Sequence, residues 1–237
     1  MDLKIGSIDL RDLKSLFRKK PERLGLEIDD RVVRIVKVSK GDNDNYIVNS
    51  FGELDIDILH ANPIELQRFK SAIAQLGEGI TRVAVNIDHP TLRIRKMNFS
   101  KMPDQDLLEA IRWNFREHIE GSIDKYTVGF TLLDEPTEAN KISVMAYGIS
   151  EEVVGEKMAF LKNLGLRVVS LEPSPTALLA AFYANGILND GKCHVCISFG
   201  DSISELVVLR GKSMLFSRPL AGVNEDALIK LIMRNIN

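Results

Sequence analysis

The sequence predicts an α/β fold with mixed sheets and flanking helices. Two stretches, 24–38 and 192–218, each contain apolar runs joined by short polar tips, which is the pattern of β-hairpins. Between them, a segment with helical spacing at 62–76 precedes an apolar strand at 82–87, as expected for a crossover connection in a layered sheet. Because one hairpin design occurs twice, we expect a duplicated architecture.

The first third of the chain predicts three strands, a helix and a fourth strand. The runs 24–28 and 32–38 flank the polar tip, and a third strand follows at 46–54 after a turn-rich stretch. The helix is expected to begin at Asn62-Pro63 and to end at Gly77 and Gly79. The residues predicted to face its core are Leu66, Phe69, Ile73 and Leu76.

The middle of the chain predicts an inserted α+β subdomain. It contains an alternating strand at 92–97, a helix at 104–115 and strands at 126–133 and 141–147. The elements predicted after it are a helix at 150–164, a strand at 166–171, a helix at 176–184, the meander of 192–218 and a helix at 224–237. In the helix at 150–164, Val153, Val154, Met158 and Leu161 are predicted to point inward.

This order divides the chain into four parts. They are an N-terminal segment at 1–22, a first subdomain formed by 23–90 and 150–190, the insertion at 91–149, and the start of a second subdomain at 191–237.

Composition is that of a globular protein. The chain has 237 residues, of which 45% are hydrophobic and 27% charged, and its net charge is −2. Nucleic-acid binding is not expected because it requires a clustered basic face. No apolar stretch reaches the roughly 20 residues that span a bilayer, and the N-terminus lacks a signal-peptide core. With two cysteines, we expect the reducing cytoplasm.

The segment at 7–20 is a basic amphipathic pattern. Ile8, Leu10, Leu13, Leu16 and Phe17 recur near helical spacing, and five Lys and Arg residues are predicted on the other side. Such a helix either lies on an anionic membrane or docks on the domain, and its few large apolar residues favour docking.

Three stretches resemble catalytic motifs, but the secondary structure predicted around them does not suit those motifs. The stretch 186–193 nearly spells a P-loop, but it leads from a helix to a strand and lacks the final Ser or Thr. Cys193 and Cys196 have the spacing of a redox or zinc pair, yet on a strand they point to opposite faces. The turn at 200–202 is followed by a strand and so is not a nucleophile elbow. We therefore expect no catalytic residue and no metal site.

Acidic residues follow several apolar strands. Asp29, Asp30, Glu172 and Asp201 lie at strand ends, where open sheets present ligand sites. Turns also favour aspartate for local reasons, and the sequence leaves both interpretations open at Asp29-Asp30.

Three segments carry a resemblance to a known family. They are Lys101-Met102-Pro103 with Glu109-Ala110-Ile111-Arg112-Trp113, Leu164–Val169 with Glu172-Pro173, and Phe216–Gly222. In this order they resemble the PilM family of type IV pilus assembly proteins, relatives of the cell-division protein FtsA. The resemblance covers about residue 24 to the C-terminus. It implies an actin-like (ribonuclease H-like) fold whose second half is truncated after Asn237.

The resemblance also implies two hairpins that close on ATP and magnesium. A glycine at each tip lets backbone N–H groups approach phosphate. Where relatives have Asp-Ile-Gly-Ser, this chain has Glu27-Ile28-Asp29-Asp30 followed by Arg31, and where they have Asp-Ile-Gly it has Ser198-Phe199-Gly200 followed by Asp201-Ser202. Glu172 matches the Glu-Pro of DnaK-type chaperones. These positions form the expected nucleotide site, and the added carboxylates disfavour phosphate. We therefore expect nucleotide binding to be weak or lost, with no cofactor. The alternative is an ATPase that binds ATP and magnesium through unusual residues.

The resemblance then implies a cytoplasmic scaffold at the inner membrane. The expected partner is the short N-terminal tail of a PilN-like inner-membrane protein, together with other pilus or secretion platform proteins, so that membrane association is peripheral. The tail is expected in a groove between the first subdomain and the insertion, where an extended peptide can pair with an edge. Arg93, Arg95, Arg112 and Trp113 are the candidate surface residues; the alternative is a packed Trp113 and solvated arginines. A further alternative is the cytoplasmic domain of a GspL-like type II secretion protein.

Overall fold

The computed structural model describes residues 22–29, 31–41, 46–58, 60–133, 140–199 and 204–220, together with Asp226 and Lys230. The predicted helices at 7–20 and 224–237 lie largely outside these residues. No helix in the described part of the chain is long and apolar enough to cross a membrane.

A five-stranded mixed sheet organises the first half of the molecule. Its strands are β1 (Glu22–Ile28), β2 (Val32–Lys40), β3 (Tyr46–Asp55), β4 (Arg82–Asn86) and β8 (Arg167–Glu172), in the order β3-β2-β1-β4-β8. The two hairpin pairs are antiparallel, whereas β4 pairs in parallel with β1 and with β8. The parallel pairs require crossover connections, and these contain helices, as the sequence predicted.

Two helices cover one face of this sheet. They are α1 (Pro63–Gly77) and α3 (Glu151–Asn163). Phe69 and Ile73 of α1 and Leu161 of α3 are buried against the strands, in a core that includes Leu24 and Ile35. The periodicity of α1 is therefore confirmed. In α3, Leu161 points inward as predicted, but the prediction for Met158 was wrong because its side chain is 39% exposed.

The insertion forms a second, three-stranded sheet with its own helix. Its strands are β5 (Arg93–Ser100), β6 (Tyr126–Leu132) and β7 (Lys141–Ser150), in the order β5-β7-β6, and α2 (Asp104–Phe115) packs on one face. Leu107, Ile111 and Phe115 of α2 are fully buried there. The inserted α+β subdomain is thus present.

The last part of the described chain is a helix followed by a meander. Helix α4 (Ser174–Ala184) leads through a 3₁₀ turn to β9 (His194–Ser198), β10 (Ser204–Arg210) and β11 (Ser213–Leu220), which form an antiparallel sheet in the order β11-β10-β9. Val207, Leu209 and Met214 are buried against α4 and against Ile94 of β5. This third core therefore joins the meander to the insertion.

Candidate functional site

The first hairpin tip is fixed by backbone hydrogen bonds. The N–H of Asp29 donates to the carbonyl of Val32 over 3.0 Å, and the N–H of Ile56 donates to the carbonyl of Arg31 over 2.8 Å. The tip is also tied to β4, because the N–H of Ile28 donates to Oδ1 of Asn86 over 2.8 Å. The amide of Asp29 is thus engaged within the turn. Asp30 lies outside the described residues.

The second hairpin contributes a carboxyl group from its base. Ser198 at the end of β9 pairs with Glu205 at the start of β10, while Gly200, Asp201 and Ser202 lie outside the described residues. The hydroxyl of Ser217 donates to the Glu205 carboxylate. Burial raises the pKa of Glu205 to about 7, and the negative charge of Asp88 adds to the shift.

The bases of the two hairpins border one cleft of about 680 Å³. Glu27, Asn86 and Glu172 line it from the five-stranded sheet, and Ser198 and Glu205 line it from the meander. Helix α4 forms a further wall. The remaining lining is mostly apolar. The sequence prediction that the two hairpins lie on opposite sides of one cleft is consistent with this placement of their bases.

The carboxylates of the cleft are held by neighbouring donors. Arg34 bridges two of them, with Nε 2.7 Å from Oε2 of Glu53 and Nη1 3.2 Å from Oε2 of Glu27. Glu172 accepts from the hydroxyl of Ser170 at 2.7 Å. One guanidinium therefore serves two carboxylates, and the lining retains an excess of negative charge.

Asp88 was not predicted from the sequence and lies beside the cleft. It accepts hydrogen bonds from the amide of Asn86 at 3.0 Å and from the backbone N–H of Ser174 at 3.1 Å, so it joins β4 to the start of α4. It directly follows the strand predicted at 82–87. The carboxyl end of a parallel strand was the signal that could have identified it.

Lys157 of α3 is a second group that sequence reasoning missed. Burial lowers the pKa of its ammonium, and the charges of Asp88 and Asp29 oppose that shift. Its helical position carries no signal in the sequence, because only the folded chain brings α3 near the first hairpin tip.

The described part of the cleft lining is acidic. None of the described His, Cys, Asp and Glu side chains form a group of three or more that could hold a metal ion. A triphosphate in this cleft would meet the carboxylates of Glu27, Glu53 and Glu172, and the Asp29 amide already donates within its turn. Like charges raise the cost of binding an anion.

The four residues proposed for partner binding do not form one patch. Arg93 and Arg95 lie on edge strand β5, where their guanidinium groups donate to the backbone carbonyls of Leu92 at 3.0 Å and Ile94 at 2.8 Å. Arg112 of α2 lies near the opposite edge strand, donating over 3.4 Å to the carbonyl of Tyr126. Trp113 is 67% exposed, so it is not a core side chain.

A cation covers part of the exposed indole. The guanidinium carbon of Arg116 lies 4.5 Å from the centroid of the Trp113 ring. This cation–π contact fixes the orientation of a large amphipathic side chain at the surface. Trp113, flanked by Arg116, and Arg95 are thus the predicted partner residues that are exposed to solvent.

Comparisons with known proteins show the fold. No protein-family model matches the sequence, and the curated proteins contain no significant match. The structure is similar to a chain of the PilM-PilN type IV pilus biogenesis complex, with a TM-score of 0.73 and 23% identity over 92% of this chain and 66% of that chain. The chain has the actin-like fold of that structure. It spans just under two thirds of the length of its PilM-PilN counterpart.

Two other solved structures are similar at lower identity. The cytoplasmic domain of EpsL, an inner-membrane component of the type II secretion system of Vibrio cholerae, matches with a TM-score of 0.54 and 12% identity over 84% of this chain and 71% of that chain. A Bacteroides thetaiotaomicron protein of actin-like ATPase fold and unknown function matches at 0.49 and 12% identity, over 97% and 79%. The predicted likeness to PilM and the predicted fold class are confirmed.

Proposed function

We propose that the chain is a non-catalytic actin-like adaptor of a type IV pilus assembly platform, acting at the cytoplasmic face of the inner membrane. The observation that carries this proposal is the likeness to the PilM-PilN complex over 92% of the chain. The acidic lining of the cleft supports the non-catalytic part of the proposal, because a nucleotide is an anion.

The proposed partner is the N-terminal cytoplasmic tail of a PilN-like protein. Within the described residues β5 forms a ladder only with β7, and Ile94 of β5 packs with Met214 of β11, so we place an extended tail along β5 beside the meander. Arg93 and Arg95 lie on this strand. Trp113 supplies exposed aromatic area of the kind that dominates binding energy at interfaces. We assign tail binding to these two surfaces of the insertion.

A GspL-like secretion protein is a second candidate, favoured by the likeness to the EpsL cytoplasmic domain. The two candidates differ in their membrane attachment. A membrane-spanning helix encoded in the same polypeptide would favour the GspL-like protein, whereas capture through a separate membrane protein would favour the PilM-like adaptor.

A pull-down from solubilised membranes, followed by titration of the identified tail peptide, tests the adaptor. The expected partner is a membrane protein with a short cytoplasmic N-terminal tail. Trp113→Ala is expected to weaken tail binding by about tenfold or more, as at an interface hot spot. Met158→Ala is the matched control, because Met158 is an exposed apolar residue on another helix. If the wild type and Trp113→Ala bind the tail peptide with equal affinity, the surface around Trp113 is not the tail-binding site.

A further inference from the structure

The five-stranded sheet has one face that is only partly covered. The face opposite α1 and α3 carries a row of small and apolar residues in register, with Phe51 opposite Val36, Val36 opposite Gly25, and Gly25 beside Ala84. Phe51 is 78% exposed. Parallel strands are normally covered on both faces, so this face departs from the usual burial of a mixed sheet.

The apolar row continues into the acidic part of the cleft. In the adjacent row, Glu53 lies opposite Arg34, and Arg34 lies opposite Glu27. Glu172 of the same sheet and Glu205 of the meander also line the cleft. Four carboxyl groups and one guanidinium thus border a mostly apolar floor. The surface is complementary to a segment that carries aliphatic side chains beside Lys or Arg.

We infer that this cleft is a docking site for a positively charged amphipathic peptide segment of a partner protein. Phe51, Val36 and Ala84 receive its apolar side chains, and Glu27, Glu53 and Glu172 pair with its cations. A volume of about 680 Å³ lies in the range of built ligand sites and accommodates a few side chains. The inference does not rest on tail binding at the insertion, because it uses a different surface.

The test is fluorescence anisotropy with a labelled amphipathic peptide of leucine and lysine, compared with the same peptide carrying glutamate in place of lysine. The lysine peptide is expected to bind, with an affinity that falls as salt is added, and the glutamate peptide is expected not to bind. Equal binding of both peptides would overturn the inference.

Two variants of similar exposure decide whether binding is local. Phe51→Asp is expected to weaken binding of the lysine peptide by about tenfold or more. Ile64→Asp is the control, since Ile64 is 75% exposed on α1, outside the cleft. If neither variant weakens binding, or both strengthen it, the peptide binds through non-specific charge and the inference fails; equal weakening by both would also overturn it, because binding would then not depend on the cleft. Because both side chains are exposed, circular dichroism should show unchanged folding in each.

A deletion of residues 1–21 distinguishes a partner from the chain itself. This segment is basic and amphipathic in sequence, so it resembles the inferred ligand. If the lysine peptide binds the full chain and the deleted chain alike, the site serves a partner. If binding appears only after the deletion, the chain's own segment occupies the site and the inference of a partner is overturned. If Phe51→Asp does not weaken binding of the lysine peptide while Trp113→Ala still weakens binding of the tail, the docking inference fails and the adaptor proposal stands.

Discussion

At the scale of single residues, the surroundings of Glu205 alter its acid–base chemistry. Its carboxyl group lies on the inner side of β10, in phase with the buried Val207, and accepts a hydrogen bond from Ser217. Burial raises its pKa to about 7. The folded chain therefore holds a proton on Glu205 at pH values where the unfolded chain has lost it, since an exposed Glu titrates near 4.3.

The first prediction follows from this difference. Between about pH 4.5 and pH 7 the folded state binds more protons than the unfolded state, so the contribution of Glu205 to stability falls as pH rises. Glu205→Gln should abolish this fall. The free energy of unfolding of the variant should gain about 2 kcal/mol relative to the wild type between those limits, after allowance for solvent screening. Urea unfolding at about pH 4.5 and pH 7 measures the free energy of unfolding of both proteins. An equal change between the two pH values for the wild type and Glu205→Gln would contradict the prediction.

Gly148 is constrained by its contact with a buried ring. A Cβ added at this position would overlap Cε1 of Phe115, which is fully buried. We predict that Gly148→Ala destabilises the chain by about 2 kcal/mol through overpacking. Gly129→Ala on the neighbouring strand is the control, because a Cβ added there would meet no described atom within 4 Å. Thermal unfolding of both variants checks the prediction, and equal midpoints would refute it.

At the scale of elements, a capping box stabilises the N-terminus of helix α1. Oδ1 of Asn62 accepts from the N–H groups of Ile64 at 2.9 Å and Glu65 at 3.0 Å, and Oε2 of Glu65 accepts from the Asn62 N–H at 2.9 Å. These bonds satisfy donors that have no partner inside the helix. The cap fixes the crossover helix over the sheet.

Loss of this cap should be measurable. Asn62→Ala is expected to lower the free energy of unfolding by about 1 kcal/mol. Gln75→Ala, an exposed position on the same helix, should change stability by less than about 0.5 kcal/mol. Chemical denaturation gives both values. A cap variant as stable as the control would mean that packing alone sets the helix start.

The elements themselves were largely predictable because their signals are local. The strands of both hairpins show alternation or apolar runs, and Pro63 and Gly77 mark the limits of α1. The surroundings of individual side chains on these elements depend on tertiary packing. The core of the insertion binds only one face of α2, so Trp113 projects into solvent, and Arg112 is drawn to backbone carbonyls at Ile123 and Tyr126. Neither outcome has a local signal.

At the scale of the whole molecule, the cleft joins parts of the chain that are far apart in sequence. The strand-end rule predicted Asp29 and Glu172 on chemical grounds, and the fold brings Glu172 to the cleft. It did not predict that Glu205 is buried or that Lys157 approaches the first tip. Those properties depend on how α3, α4 and the meander pack, which periodicity does not specify.

The central claim is that acidic groups stand where an anionic nucleotide would need bare backbone, so that the actin-like fold serves here as a docking platform. The division of the chain at residues 22, 90, 149 and 190 stays a prediction of the sequence. The claim rests on the polar and acidic side chains that line the cleft from the five-stranded sheet and from the meander.

Isothermal titration calorimetry with ATP and magnesium tests this claim most directly. The account predicts no binding tighter than about millimolar, because the cleft carries several carboxylates that repel an anion. Micromolar affinity that is abolished by Gly200→Asp would contradict it, since that result would place a functional phosphate site at the second hairpin.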